Sequence, residues 1–85
     1  MKKTEFVKAV ARRNGISSRQ AYRAVNSVMD TMRVLLSEGE EIEIGGFGTF
    51  SVLTGSSEMR YPFFVSSKAL NRVLNTPVKT GEQED

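Results

Sequence analysis

The chain has 85 residues, enough for one domain, and a chain this short covers only a modest core unless disulfides, a metal or a second subunit help. It contains neither cysteine nor histidine, which excludes disulfides, Cys/His zinc sites and catalytic dyads built on either residue. Oligomerisation is the remaining route to a core, so a dimer is expected. The formal net charge of +2 conceals a segregation: residues 1–33 carry eight Lys/Arg against two acids, whereas residues 34–58 carry five acids and no base.

The first predicted element is a helix from about Lys3 to Asn14, in which Phe6, Val7, Val10 and Ala11 draw one apolar stripe. Gly15 fits the left-handed position that ends such a helix. A second, longer helix follows. Ser17 with Gln20 forms a capping-box pattern, and Ala21, Ala24, Val25, Val28, Met29, Met32, Leu35 and Leu36 keep a spacing of three to four. Small residues early and large ones late suit close packing against the first helix, then wider packing beyond it. The methionines read as fillers of an irregular core. Gly39 closes the helix.

Glu41-Ile42-Glu43-Ile44 alternates polar and apolar side chains, as a half-buried strand does. Residues 45–50, Gly-Gly-Phe-Gly-Thr-Phe, then combine a backbone free to turn with two large rings that need a core. A second strand runs through about Leu53, with a turn at Thr54-Gly55-Ser56-Ser57. Met59 to Val65 reads as a third strand, which Pro62 restricts to an edge or an irregular place. Ser66 or Ser67 caps a short third helix with Ala69, Leu70, Val73 and Leu74 on its apolar face, and Pro77 stops it. The domain is expected over residues 1–78, with residues 79–85 a polar, acidic tail.

Grouped helices and strands give an α+β pattern: a helical hairpin, a three-stranded antiparallel sheet and a short C-terminal helix. No apolar run approaches the ~18 residues of a membrane span. The start, Met1-Lys2-Lys3-Thr4-Glu5, leads into an amphipathic segment rather than a signal-peptide core. A soluble, intracellular protein without membrane contact is therefore expected, or a component of a particle built inside a cell. Thr49, Ser51 and the carboxylates of residues 38–43 have no histidine to work with, and alternation puts Glu41 and Glu43 on the wet face. No catalysis, cofactor or metal site is expected.

Four blocks of this sequence resemble the bacterial HU/IHF family of DNA-architectural, histone-like proteins. They are Lys3-Thr4-Glu5-Phe6-Val7; Gly15-Ile16-Ser17 with Ala21 and Ala24 in the long helix; Ile44-Gly45-Gly46-Phe47-Gly48-Thr49-Phe50; and Pro62-Phe63-Phe64 ahead of Ser67-Lys68-Ala69-Leu70. The resemblance implies an intertwined two-fold dimer, of identical or paralogous subunits, with Phe47, Phe50 and Phe64 in a shared core. It also implies double-stranded DNA as the partner. Lys68 matches a family lysine, although Ser67 stands where the family has glycine.

One family feature is largely missing. The family grips DNA with two long basic β-ribbon arms, each carrying a proline wedge near its tip. Here only eleven residues, Ser51 to Tyr61, separate Phe50 from Pro62. Five residues per strand reach about 17 Å, too little to wrap a groove. The bases left as candidate DNA contacts are Lys2, Lys3, Arg60, Lys68 and Arg72. Two readings follow. The first is an HU-like protein of the bacterial nucleoid that binds duplex without sequence preference and bends it less. The second is a structural module that keeps the fold as a brick, for example in a bacteriophage virion at a head–tail or tail ring, with other virion proteins as partners.

Overall fold

The computed structural model describes residues 1–76. The expected stop at Pro77 and the acidic tail at 79–85 lie outside the described residues. The element order is α1 (Lys3–Asn14), α2 (Ser18–Ser37), β1 (Ile42–Ile44), β2 (Gly48–Thr54), β3 (Arg60–Ser66) and α3 (Lys68–Asn75).

Both long helices begin and end where their capping residues dictate. At α1 the Lys2 backbone N–H donates to Glu5 Oε1 at 2.8 Å, and Gly15 ends the helix with a φ of 61°. At α2 the capping box is complete: the Gln20 N–H donates to Ser17 Oγ, and the Ser17 N–H donates to Gln20 Oε1, both at 3.0 Å. Each satisfies a donor that the helix start would otherwise leave without a partner. The two helices pack through Val7, Ala11, Ala21 and Val25, all buried, with Val10 and Ile16 against them. Ala21 is wholly covered, which lets the helix backbones approach closely at the turn end of the hairpin.

The sheet has the order β1-β2-β3, antiparallel throughout. A tight turn joins β1 to β2: the Phe47 N–H donates to the Ile44 carbonyl at 3.0 Å, and Gly46 has a φ of 81°. A positive φ at the third turn position is the type II geometry, which glycine adopts without a Cβ clash. The β2–β3 ladder runs without a break from Gly48↔Ser66 to Thr54↔Arg60. β3 begins and ends one residue later than its sequence pattern suggested, and Pro62 lies opposite Val52 on this edge strand, where a missing N–H is tolerated. The turn that leads into β3 is Gly55 to Met59 rather than Thr54 to Ser57. The Gly55 N–H donates to the Met59 carbonyl at 2.8 Å and the Glu58 N–H to the Gly55 carbonyl at 3.0 Å.

Alternation gives the sheet two faces. Ile42, Ile44, Val52 and Pro62 belong to the face turned toward α2, where Met32, Leu35 and Leu36 line shallow grooves with them. Thr49, Ser51, Leu53, Tyr61, Phe63 and Val65 form the other face. Of the two serines that could cap α3, Ser67 does so, its Oγ accepting from the Leu70 N–H at 3.0 Å. Ser66 instead donates its hydroxyl to Asn71 Oδ1. The apolar face expected on α3 is half covered at Ala69 and Leu70 but open at Val73 and Leu74.

Candidate nucleic-acid interface

The five bases singled out by the sequence lie in three places. Lys2 and Lys3 stand at the start of α1. There they rim, with Arg33, a groove floored by Phe6, Val25 and Met29. Lys3 Nζ sits 5.5 Å from the centre of the Tyr22 ring, a cation–π contact that ties the start of α1 to α2. Arg33 forms an ion pair with Asp30 one turn earlier, both side chains exposed.

Arg60 lies at the far end of the β2–β3 ladder. Its Nη1 donates to the Ser37 carbonyl at 3.1 Å. Ser37 is the last residue of α2, so this cation meets the negative end of a helix dipole, a favourable arrangement in its own right. Lys68 and Arg72 are exposed on α3, one turn apart and so on one face. The Ser67 N–H donates to the Phe47 carbonyl at 2.9 Å, which pins the start of α3 to the β1–β2 turn. Glu43 lines the same depression as Gly45, Gly46 and Ser67, which places an acidic residue beside the start of α3. Six residue steps separate the two ends of the ladder, about 20 Å at strand rise, and one chain does not bring Arg60 and Lys68 together.

The three phenylalanines do meet. Phe50 and Phe64 are direct cross-strand partners with ring centres 4.6 Å apart, and Phe47 stands 5.5 Å from Phe64 and 6.3 Å from Phe50. Within one chain the cluster is incomplete, because Phe47 is still 45% exposed and Phe64 40% exposed. The apolar groove between α1 and the later turns of α2, lined by Phe6, Val10, Val28 and Met29, is also open.

A family model described as bacterial DNA-binding protein matches residues 1–59. The chain belongs to the HU/IHF family. The DNA-binding protein HU of Haemophilus influenzae is 33% identical over 89 residues, covering 87% of this chain and 99% of that protein. Since 87% of 85 residues is about 74, some 15 positions of this HU relative have no counterpart here. The HU protein of Geobacillus stearothermophilus is 40% identical over 52 residues, which is 61% of this chain and 58% of that protein, so the match spans less than two thirds of that HU. Among solved HU structures, a V42I mutant from Thermotoga maritima superposes with a TM-score of 0.78 at 29% identity, covering 88% of this chain and all of the other.

The candidate contacts read from the sequence include no residue at the turn end of the helical hairpin. Lys8, Arg12, Arg13, Arg19 and Arg23 are all exposed there. The signal lies in the concentration of bases before residue 34, which charge counting alone does not assign to a surface. The opposite omission concerns the outer sheet face, where no base occurs among Thr49, Ser51, Leu53, Tyr61, Phe63 and Val65. Period-two alternation alone would have revealed that.

Proposed function

We propose that this protein binds double-stranded DNA without sequence preference, as a dimer with itself or a paralogous subunit, and bends the duplex less than a long-armed HU does. The observation that carries this reading is the end of the β2–β3 hairpin. The ladder stops at Thr54↔Arg60, and the connecting residues Gly55-Ser56-Ser57-Glu58-Met59 contain neither a proline nor a base. A wedge inserted between base pairs is what kinks a duplex. Non-specific affinity scales with the number of phosphates neutralised. A hairpin lacking both supplies neither, and we place the roughly 15 positions missing against the Haemophilus protein at this tip.

The name that the relatives share, DNA-binding protein HU, supports a duplex as partner. Lys2, Lys3, Arg60, Lys68 and Arg72 are candidate phosphate contacts, and the described residues offer no set of side chains arranged to read base edges. The half-exposed phenylalanines support the dimer, because a second chain laid across Phe47, Phe50 and Phe64 would complete their core. The bacterial nucleoid is the corresponding location. Titration of a labelled duplex against salt, paired with a fluorescence-transfer measurement of end-to-end distance, tests both parts. Absence of binding at low salt would sink the first. A bend as large as that produced by a long-armed HU would sink the second.

A second reading, the fold reused as a structural brick in a bacteriophage virion, is favoured by the outer sheet face. Leu53, Tyr61, Phe63 and Val65 are 38–53% exposed there, an apolar strip better suited to protein than to phosphate. Light scattering over a range of concentrations separates the two: a brick forms rings or filaments beyond the dimer, and a DNA-binding dimer does not.

A further inference from the structure

We infer that the turn end of the α1–α2 hairpin, carrying Lys8, Arg12, Arg13, Arg19 and Arg23, is this protein's principal phosphate-binding surface for duplex DNA. The inference rests on the DNA-binding reading above and moves the main contact from the sheet to the helical base.

Three observations converge on it. The first is proximity. Arg12 and Arg13 occupy the last turn of α1, and Arg19 the first turn of α2. The three-residue link Gly15-Ile16-Ser17 and the close packing around Ala21 hold these two helix ends together.

The second is the absence of local compensation. Among the described residues the one salt bridge joins Arg33 to Asp30, and Glu5 is engaged by the Lys2 backbone. Among the described residues, Lys8, Arg12, Arg13, Arg19 and Arg23 have no acid partner.

The third is that folding does not account for the charge. Arg12 and Arg13 suit the C-terminal end of α1, but Arg19 stands at the positive end of the α2 dipole, where a cation is unfavourable, and the first turn of α2 contains no acid. Lys8 with Arg12 and Arg19 with Arg23 are like-charge pairs four residues apart, which weaken a helix. A row of phosphates relieves this repulsion and turns an unfavourable arrangement into binding free energy. The other surfaces offer less. The outer sheet face has no base, Arg60 is engaged at Ser37, and Lys68 adjoins a turn lined by Glu43.

The experiment is a fluorescence-anisotropy titration of a labelled duplex over a range of salt concentrations. It compares the wild type with Arg12→Gln/Arg13→Gln/Arg19→Gln/Arg23→Gln, with the same four positions changed to Lys, and with Lys68→Gln/Arg72→Gln. Each phosphate contact contributes about 0.9 to the slope of log affinity against log salt. The four-Gln variant is expected to lose about two units of slope or more and to bind at least about tenfold more weakly. The four-Lys variant keeps the slope, and Lys68→Gln/Arg72→Gln loses about one unit at most. Without DNA, the melting temperature of the four-Gln variant stays near that of the wild type, because relief of repulsion at Arg19 and Arg23 offsets the favourable helix-end charges lost at Arg12 and Arg13. Should it fail to fold, Arg19→Gln and Arg23→Gln singly carry the test, each lowering the slope. A folded four-Gln variant with the wild-type slope overturns this surface and leaves DNA binding intact. A wild type that does not bind duplex at low salt overturns the DNA-binding reading, and this surface with it.

Discussion

Within the helical hairpin, Val7, Ala11, Ala21 and Val25 are buried by contacts inside one chain, and the outward side is crowded with bases. The sheet reverses both properties. Its large side chains, Phe47, Phe64, Phe63, Tyr61 and Val65, stay 40–53% exposed, and its outer face carries no base. The hairpin has a core of its own and an unsatisfied surface charge. The sheet has its charges few and its core unfinished. In a chain of this size the two deficits call for two partners of different chemistry, an apolar one for the phenylalanine cluster and an anionic one for the helices.

The largest expected effect comes from attacking the unfinished core. Phe47→Ala removes a ring in contact with both Phe50 and Phe64. Large-to-small changes of this kind cost about 3–5 kcal/mol when the ring is fully buried. If a second chain buries it, urea unfolding monitored by circular dichroism shows a loss of that size, and sedimentation shows loss of the dimer. A folded, stable monomer would mean that the sheet core is complete within one chain.

Next comes Gly48→Ala, at the start of the β2–β3 ladder. A Cβ there would sit 2.5 Å from the Val65 carbonyl oxygen and 2.6 Å from the Phe64 ring. The backbone oxygen cannot move without breaking the ladder, so overpacking of about 1–3 kcal/mol is expected. Thermal melting measures it. A variant as stable as the wild type would show that the ring and strand shift freely, and would weaken the case for a tightly packed cluster.

The hairpin responds on a smaller scale and through its caps. Ser17→Ala removes the oxygen that accepts the Gln20 N–H and is expected to cost about 1 kcal/mol. Gly, lacking the oxygen but tolerating the cap geometry, should cost a few tenths. Equal losses for the two would show that backbone preference contributes nothing at this cap and that the lost hydroxyl alone sets the cost.

These effects follow how legible each region was in the sequence. The caps at Ser17 and Gly15 and the bounds of α1 are local chemistry, written within three or four residues, and they appear where the sequence puts them, whereas the sequence leaves Ser66 and Ser67 as alternative caps of α3. Strand ends were less well defined. Thr54 joins β2, and β3 extends to Ser66, because ladder pairing with a neighbour overrides local turn preference at Ser and Thr. The family was legible from the spacing of Gly45 to Phe50 against the helices. Site residues were the least legible, since a base acts through what surrounds it in space. Nothing near Arg60 in sequence indicates that its guanidinium reaches Ser37, 23 residues away.

That contact gives the smallest prediction and the one that sharpens the comparison most directly. Arg60 lies between the two regions: it belongs to β3, yet its donor reaches the last carbonyl of α2, that of Ser37. If it serves mainly to close the helix, Arg60→Gln shortens the reach and loses a cation at the negative end of the dipole. For an exposed group that is worth about 0.3–1 kcal/mol. The salt slope of DNA binding then stays within error of the wild type, because a guanidinium turned toward the end of α2 reaches no phosphate. If Arg60 instead serves the duplex, the pattern inverts: stability is unchanged and the slope falls by about 0.9. Melting and titration of this one variant therefore separate a base that joins the sheet to the helices from a base that the sheet presents to DNA. The first outcome leaves the helical hairpin as the only densely basic surface among the described residues. The second makes the end of the β2–β3 hairpin a DNA contact in its own right.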